Sequence, residues 1–216
     1  MRTVLLSVKG FNTAKQRLAT SLTAGERSNL ARAMLKDVTR AINESELTQR
    51  RIVITASSEV RDFVSSVGFE VVDEPEPRGQ SAAINQMTEE LSPGSSLLLS
   101  LPSDLPMLVG KEIDEVFATQ EKGSAFIPSR DGTGTNGVLM KPGVRIEMDY
   151  GPDSLKRHLD RAAKSELLVS LLKIPGIAFD LDTPCDLADF IDLEPTDTET
   201  WKSVRKDSLF LRGRKG

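Results

Sequence analysis

The chain has few of the residues that carry nucleophilic catalysis and cross-linking. Its 216 residues include one cysteine, Cys185, and one histidine, His158. A single cysteine excludes an internal disulfide and favours a reducing compartment. A cysteine nucleophile needs a positioned base, and no feature of the sequence links Cys185 to His158, which falls in a different predicted helix. We therefore expect His158 to be a polar residue on a helix surface.

The sequence also lacks long apolar runs and a large excess of charge of one sign. The first apolar stretch, Val4-Leu5-Leu6, is too short for the core of a signal peptide and indicates a buried strand, so we expect a cytoplasmic protein. Lysine and arginine total 28 and aspartate and glutamate total 32, a formal net charge of −4. This charge gives no reason to expect nucleic acid or an anionic membrane as a partner. The sequence leaves the oligomeric state, including a homo-oligomer, open.

Short strands and amphipathic helices alternate in the first half of the chain. A helix predicted from Thr23 to about Asn43 begins with a capping-box pattern at Thr23 and Glu26. Four stretches rich in valine, isoleucine and leucine are predicted as strands: 3–8, 51–55, 69–73 and 95–101. The alternation predicts βαβ units, and hence an α/β fold with a mostly parallel central sheet flanked by helices.

The pattern changes in the second half, where two strands are joined by a polar loop with glycines. The predicted elements are strands 124–128, 136–141 and 170–181, and helices 154–163 and 186–192. We find no internal repeat and no low-complexity linker. The sequence therefore predicts one domain, residues 1–192, with residues 193–216 as a C-terminal extension.

Acidic residues follow two predicted buried strands. Asp104 comes after the run Leu97-Leu98-Leu99-Ser100-Leu101, and Asp180 and Asp182 follow a second short apolar run. The carboxyl ends of strands are where open α/β sheets bind ligands, and paired carboxylates suit Mg²⁺ together with substrate phosphates. The structural alternative is that Asp104 caps a turn and that Asp182 or Thr183 caps a helix.

Three loops are candidates for binding anions. The segment from Lys9 to Leu18 carries cations that could meet a polyphosphate, although it could also be a solvated loop. Glycines let the backbone of 132–137 approach an anion, or they simply form a hairpin connection. The segment Gly151-Pro152-Asp153-Ser154 precedes a helix and could bind a phosphate or carboxylate, with capping by Asp153 or Ser154 as the alternative.

An ordered set of motifs points to a family. In order along the chain, the motifs are Val8-Lys9, Ala14-Lys15-Gln16-Arg17-Leu18, Glu26-Arg27, residues 31–38, Asp104-Leu105-Pro106, Gly134-Thr135-Asn136, Gly151-Pro152-Asp153-Ser154 and Asp180-Leu181-Asp182-Thr183-Pro184. Over about residues 4–191 this set resembles the guanylyltransferases of coenzyme F420 biosynthesis, which act on 2-phospho-L-lactate, phosphoenolpyruvate or 3-phosphoglycerate. The short Asp-Leu-Pro and Asp-Thr-Pro motifs are common to many nucleotidyltransferases, so the specificity comes from their order.

The resemblance implies a fold, a reaction and a site. It implies a single-domain, Rossmann-like nucleotidyltransferase that joins GTP to a small phospho-acid with Mg²⁺ as cofactor. The implied metal ligands are Asp104 and the pair Asp180 and Asp182, of which we favour Asp182. The implied nucleotide site and phospho-acid site comprise, respectively, Lys9, Lys15, Arg17, Gly79 and Ser81, and Thr135, Gly151 and Ser154. Of these residues, Lys15, Arg17 and Asp104 are the catalytic candidates.

The chain departs from the family pattern at one of these positions. Where the family usually has Gly-Leu-Asn-Ala-Ala, this chain has Gly79-Gln80-Ser81-Ala82-Ala83. The change removes an asparagine side chain from the region that would contact the base. Other readings stay open at this point: another nucleotidyltransferase of the same fold, of the molybdenum-cofactor guanylyltransferase or CMP-sugar synthetase type, or a non-catalytic nucleotide-binding module.

Overall fold

A mixed sheet of seven strands runs through the computed structural model, which describes residues 1–74, 79–91, 97–119 and 123–206. The strands are β1 (Arg2–Ser7), β2 (Arg50–Thr55), β3 (Glu70–Asp73), β4 (Leu97–Leu101), β5 (Ser124–Pro128), β6 (Thr135–Met140) and β7 (Val169–Leu171). Their order is β3-β2-β1-β4-β6-β5-β7. Strand β6 is antiparallel to β4 and β5, and the other neighbours are parallel. The mostly parallel α/β sheet is confirmed.

Helices cover both faces of the sheet. Those in the described ranges are α1 (Ala24–Glu44), α2 (Ser58–Ser66), α3 (Gln80–Leu91), α4 (Gly110–Ala118), α5 (Ser154–Lys164), α6 (Pro175–Ala178), α7 (Pro184–Leu193) and α8 (Glu199–Lys206). Between β1 and α1 the chain makes two 3₁₀ turns, at Phe11–Thr13 and Gln16–Leu18. Within these same ranges, no helix combines the length and the hydropathy that a membrane span requires.

Helix α1 begins where the sequence predicts. The Thr23 hydroxyl accepts a hydrogen bond from the backbone N–H of Glu26, and the Glu26 carboxylate accepts one from the N–H of Thr23. This reciprocal capping box satisfies two of the N–H groups that a helix start leaves without partners. The face of α1 that carries Leu35 and Val38 then packs on the sheet.

The core lies on both faces of the sheet because alternate strand residues point to opposite sides. Leu6 and Leu99 pack under α1, α2 and α4, whereas Leu5 and Leu98 pack on the face that α3 covers. All five residues of β4 are buried. The backbone at the end of β4 is therefore fixed from both sides, and Asp104 follows it after two residues.

The predicted strand 170–181 is wrong over most of its length. Strand β7 spans only Val169–Leu171, and the short helix α6 begins at Pro175. A proline at the first helical position has no N–H to lose and a φ angle already suited to a helix. The N–H of the next residue, Gly176, donates to Glu112 Oε1 at 2.7 Å, which anchors this turn to α4. Residues 95 and 96 of another predicted strand lie outside the described ranges.

The C-terminal helix α8 packs against α1. Trp201 and Val204 are buried in one cluster with Phe190 of α7 and Met34 of α1. The buried carboxylate of Asp37 in α1 accepts hydrogen bonds from the first residues of α8, including the N–H and the hydroxyl of Thr200. The first part of the predicted C-terminal extension thus shares a core cluster with the rest of the chain. Residues 207–216 lie outside the described ranges.

Candidate active site

Two adjoining open cavities lie at the carboxyl ends of β1 and β4. The smaller cavity has a volume of about 360 Å³ and the larger about 770 Å³. Both are lined by Lys9, Arg17, Gln80, Asp104 and Asp182. This is the edge of an open α/β sheet at which ligands bind. The sheet edge and the acidic residues that the sequence singles out therefore coincide.

The smaller cavity is bounded by the loop after β1. At its centre, Lys15 Nζ donates to Asp104 Oδ2 at 2.5 Å and to Asp182 Oδ1 at 2.7 Å. The Lys15 side chain is only 6% exposed, and its backbone has a φ of 56° in the left-handed region. Such backbone strain in a non-glycine residue is often found at functional sites. Arg17 is 65% exposed and reaches Asp182 Oδ2 at 3.1 Å.

The charges of these groups depend on one another. Burial alone would lower the pKa of the Lys15 ammonium, but the charges of Asp104 and Asp182 outweigh burial and raise that pKa above its ordinary value. Burial would likewise raise the pKa of the Asp182 carboxyl, yet Lys15 and Arg17 hold it below its usual range. Lys15 is therefore positive and Asp182 negative at neutral pH. Lysine and carboxylates form one compact charge network.

Asp180 differs from Asp182 in its surroundings. Its carboxylate accepts a hydrogen bond from Asn136 Nδ2 at 2.9 Å, and the same amide donates to the carbonyls of Ile177 and Ala178. Burial is the main cause that raises the pKa of Asp180, with the charges of Asp104 and Asp182 adding to it. Asp180 lines only the larger cavity. The preference for Asp182 over Asp180 as a metal ligand remains a prediction.

Oxygen donors for a cation are present between the cavities. Asp104 Oδ1 is buried, and no hydrogen-bond partner for it exists among the described residues. A carboxylate oxygen in that state is one that a hard cation such as Mg²⁺ would satisfy. The described ranges contain no group of three or more histidine, cysteine, aspartate or glutamate side chains arranged around one metal position. The donors thus fit a cation that also takes ligands from a bound substrate.

Thr183 caps a helix, as the structural alternative predicted, and this leaves the Asp182 side chain available to bind a ligand. Thr183 caps α7, because its hydroxyl accepts from the N–H of Asp186 while the Asp186 carboxylate accepts from the N–H of Thr183. Capping therefore uses Thr183 and Asp186, and the Asp182 side chain is turned to Lys15 and Arg17.

The larger cavity is bounded by the start of β6 and the start of α5. The backbone N–H of Thr135 donates to the buried Ser154 Oγ at 3.0 Å, which joins the two elements. The alternative in which Asp153 caps α5 is wrong: its backbone is left-handed and its side chain makes no capping bond. Gly151 has a φ of 122°, which only glycine adopts readily. The predicted acceptor residues Thr135, Gly151 and Ser154 therefore lie together.

His158 is not on a helix surface, and that expectation is wrong. Its side chain is 0% exposed, because α5 presents it to Phe126 of the sheet and to Tyr150. Burial, followed by the charges of Arg161 and Arg157, lowers the pKa of His158 to about 4. The helical pattern shows which residues share a face of α5 but does not show that the polar member faces inward.

The start of α3 joins the two sides of the site. Gly79, with a φ of 93°, immediately precedes α3, and Ser81 in its first turn lines the larger cavity. Ser81 Oγ accepts a hydrogen bond from the backbone N–H of Tyr150 at 2.9 Å. The residue that stands where the family has asparagine thus holds the segment that leads into Gly151.

Sequence reasoning missed two residues of the larger cavity. Arg130 is the first: its guanidinium pairs with Asp186 and Asp189 and lies 4.8 Å from the centre of the Phe179 ring. Asn136 is the second, because it is part of a motif that was singled out for its glycines. In both cases the signal was a polar residue within, or two positions before, the stretch 132–137 that was expected to bind anions.

The known proteins that this chain resembles in sequence are guanylyltransferases. A family model described as "Guanylyl transferase CofC like" matches residues 1–212. The chain is 36% identical over 217 residues to the phosphoenolpyruvate guanylyltransferase of Roseiflexus sp. (strain RS-1), covering 98% of this chain and 92% of the relative. It is 26% identical over 212 residues to the 2-phospho-L-lactate guanylyltransferase of Methanothermobacter thermautotrophicus, covering 98% and 93%.

A solved structure supports the fold. A protein of Desulfovibrio desulfuricans G20, described as a nucleotide-diphospho-sugar transferase, superposes with a TM-score of 0.78 over 98% of this chain and 97% of its own, at 16% identity. At that identity the likeness establishes the Rossmann-like nucleotidyltransferase fold alone. The family model, by contrast, spans nearly the whole sequence. This chain belongs to the CofC-like family of guanylyl transferases, and it is an enzyme of that family.

Proposed function

We propose that this enzyme transfers the GMP group of GTP to a small phosphorylated carboxylic acid, with release of pyrophosphate, in coenzyme F420 biosynthesis. The observation that carries the proposal is the two-part site: the buried Lys15 lines the smaller cavity, Thr135 and Ser154 line the larger one, and Lys9 and Arg17 line both. Asp104 and Asp182 lie where the two cavities meet. GTP occupies the side of Lys15, and the acid occupies the side of Thr135 and Ser154.

The reaction is an in-line displacement at the α-phosphorus of GTP. An oxygen of the acceptor's phosphate forms a bond to that phosphorus, and the bond from the phosphorus to the bridging oxygen of the β-phosphate breaks. Pyrophosphate leaves with the electron pair of that bond. A phosphomonoester is largely dianionic at neutral pH, so no general base is needed to create the nucleophile. Catalysis then rests on positioning and charge neutralisation.

Each cation of the loop after β1 has a separate part in this scheme. Lys15, which is buried and positive, neutralises charge on the departing pyrophosphate from a fixed position. Arg17 is exposed and can follow the outer phosphates as they arrive and leave. Lys9, which lines both cavities, adds positive charge at their junction. Mg²⁺ is part of the proposal: Asp104 and Asp182 would hold it, and it would offset the negative charge of the triphosphate.

Phosphoenolpyruvate is the acceptor we place first. Relatives named as phosphoenolpyruvate guanylyltransferases are 32–36% identical to this chain, and relatives named as 2-phospho-L-lactate guanylyltransferases are 26–30% identical. The hydroxyl groups of Thr135 and Ser154 and the backbone around Gly151 suit the carboxylate and phosphate of either acid.

The test is pyrophosphate release with each of the four common nucleoside triphosphates and a panel of acceptors: phosphoenolpyruvate, 2-phospho-L-lactate and 3-phosphoglycerate. We expect release with GTP and at least one acceptor, and none without an acceptor. Release that prefers CTP would favour a cytidylyltransferase. GTP binding without release under any combination would favour a non-catalytic nucleotide-binding module.

A further inference from the structure

The buried ring of His158 is held on every side. Phe126 stacks on it with 5.7 Å between ring centroids, and Tyr150 meets it edge-on at 5.4 Å. The backbone N–H of Asp149 donates to His158 Nε2 at 2.8 Å, and His158 Nδ1 lies 3.0 Å from Thr135 Oγ1. Both ring nitrogens are therefore engaged, and Thr135, which lines the larger cavity, is the partner of Nδ1.

The hydrogen-bond partners fix the tautomer of the ring. A backbone N–H can only donate, so Nε2 must accept the bond from Asp149. A neutral imidazole has one N–H, which must then be on Nδ1. The low pKa of about 4 agrees with a neutral ring. Thr135 Oγ1 therefore accepts the bond from Nδ1.

This arrangement leaves the proton of the Thr135 hydroxyl for another partner. The hydroxyl has one O–H, and its bond with His158 uses only a lone pair. In the described ranges no residue accepts that proton from Thr135. Thr135 lines the larger cavity beside Gly134 and Ser154. A phospho-acid bound in this cavity would provide an oxygen atom to accept the hydroxyl proton of Thr135.

We propose that His158 is a positioning residue for the acceptor: its Nδ1–H holds the Thr135 hydroxyl so that the hydroxyl proton is donated to an anionic oxygen of the phospho-acid. The inference rests on the proposed function for the identity of the acid. His158 itself touches no substrate. It converts a hydroxyl that could point either way into a donor, which favours an anion over a neutral or donor group at that point.

The tautomer can be measured without substrate. His158 is the only histidine of the chain, so ring nitrogen–proton correlation spectra of the ¹⁵N-labelled protein contain one imidazole. We expect the Nδ1–H tautomer at pH 7 and a shift of its signals on adding phosphoenolpyruvate or another acid of the panel, with GTP alone giving a smaller shift. An Nε2–H tautomer, an imidazolium, or no response to any acid would overturn the inference even if turnover is never observed.

The functional arm uses a matched pair of variants. His158→Asn keeps a donor near the position of Nδ1, whereas His158→Gln keeps a polar group near Nε2 and loses that donor. We expect His158→Gln to raise the KM for the acceptor about 10-fold, as for one hydrogen bond to a charged group, with the KM for GTP within about 2-fold of wild type. His158→Asn recovers most of the loss. The exposed change Lys164→Gln on the same helix is the control.

A double-mutant cycle separates positioning from a general loss of packing. Thr135→Val removes the hydroxyl and keeps the N–H that Ser154 accepts. If His158 acts through that hydroxyl, His158→Gln causes no further rise in the acceptor KM in the Thr135→Val background. Independent effects that multiply would overturn the inference, as would equal rises in the KM values for GTP and acceptor. Wild-type enzyme without turnover on any acid would instead contradict the proposed function, and the spectra would still decide the inference.

Discussion

Asp104 lines both cavities of the candidate site. Its Oδ2 binds Lys15, and its Oδ1 is buried without a partner in the described ranges. We predict that Asp104→Asn lowers kcat at least about 100-fold while the protein still folds, because a key electrostatic group at the reacting centre is lost. Pyrophosphate release at saturating Mg²⁺ measures it. Asp160→Asn on the exposed face of α5 is the control, and near-normal turnover of Asp104→Asn would contradict the assignment.

Lys15 is buried and Arg17 is exposed, so we expect the loss of Lys15 to have the larger effect on GTP binding and turnover. We predict that Lys15→Ala weakens GTP binding and slows turnover more than Arg17→Ala, because Lys15 is buried and pairs with two carboxylates. Removing Lys15 also leaves the charges of Asp104 and Asp182 uncompensated. Calorimetric titration with GTP and steady-state kinetics are the measurements, with the exposed Lys111→Ala as control. Equal effects of the two changes would argue against a buried role for Lys15.

His158 makes stability depend on pH. Its pKa is about 4 in the folded protein against an ordinary 6.5, so the unfolded chain binds the proton more tightly. The stabilisation is fully present above pH 6.5 and is lost as pH falls toward 4, on the order of 3 kcal/mol in all. We predict that the difference in unfolding free energy between wild type and His158→Gln shrinks over this range in urea titrations. A constant difference between pH 7 and pH 4.5 would contradict it.

Helix α8 depends on a carboxylate from another helix. Asp37 of α1 accepts the N–H groups of Glu199 and Thr200 and the Thr200 hydroxyl, and it is itself fully buried. We predict that Asp37→Ala destabilises the protein by about 2 kcal/mol, because the start of α8 loses its cap and its N–H groups lose their acceptor. Urea denaturation gives the total, and amide exchange should rise first in residues 199–206. The exposed Asp62→Ala in α2 should have no such effect.

Elements with a complete local signal were predictable, and those set by distant contacts were not. The capping box at Thr23 and Glu26 is contained within four residues, so α1 begins as predicted. By contrast, α6 depends on the contact between Gly176 and Glu112, which are 64 positions apart. The same applies to His158, whose burial depends on Phe126 and Tyr150. The periodicity of a sequence can predict a single helix or strand. The start of α6 and the burial of His158 depend on contacts between different elements, which periodicity does not reveal.

At the scale of the whole molecule, the direction of one strand assembles the site. Because β6 is antiparallel to β4, its first residues, Thr135 and Asn136, lie at the same edge of the sheet as the end of β4 near Asp104. The sequence could indicate that Lys15 and Asp104 follow strands, whereas Asp182 follows α6 and not the predicted strand 170–181. The structure brings these three side chains into contact. The sequence could not indicate the direction of β6, which long-range pairing decides. The roles of the predicted site residues remain predictions.

The bond between Ser81 and Tyr150 has a consequence for the order in which substrates bind. Ser81 lies in the first turn of α3 next to Gln80, which lines both cavities, and Tyr150 leads into the segment at Gly151 that borders the larger cavity. A ligand that orders one segment reduces the entropy that the other must lose, so occupancy of either site raises affinity at the second, and the linkage is reciprocal. We predict that GTP tightens phospho-acid binding about 5-fold or more, and that Ser81→Ala removes this gain while the affinity for GTP alone changes little. Titrations of the acid with and without a non-hydrolysable GTP analogue measure the linkage. Equal synergy in wild type and Ser81→Ala would mean that the two substrates sense each other only through direct contact.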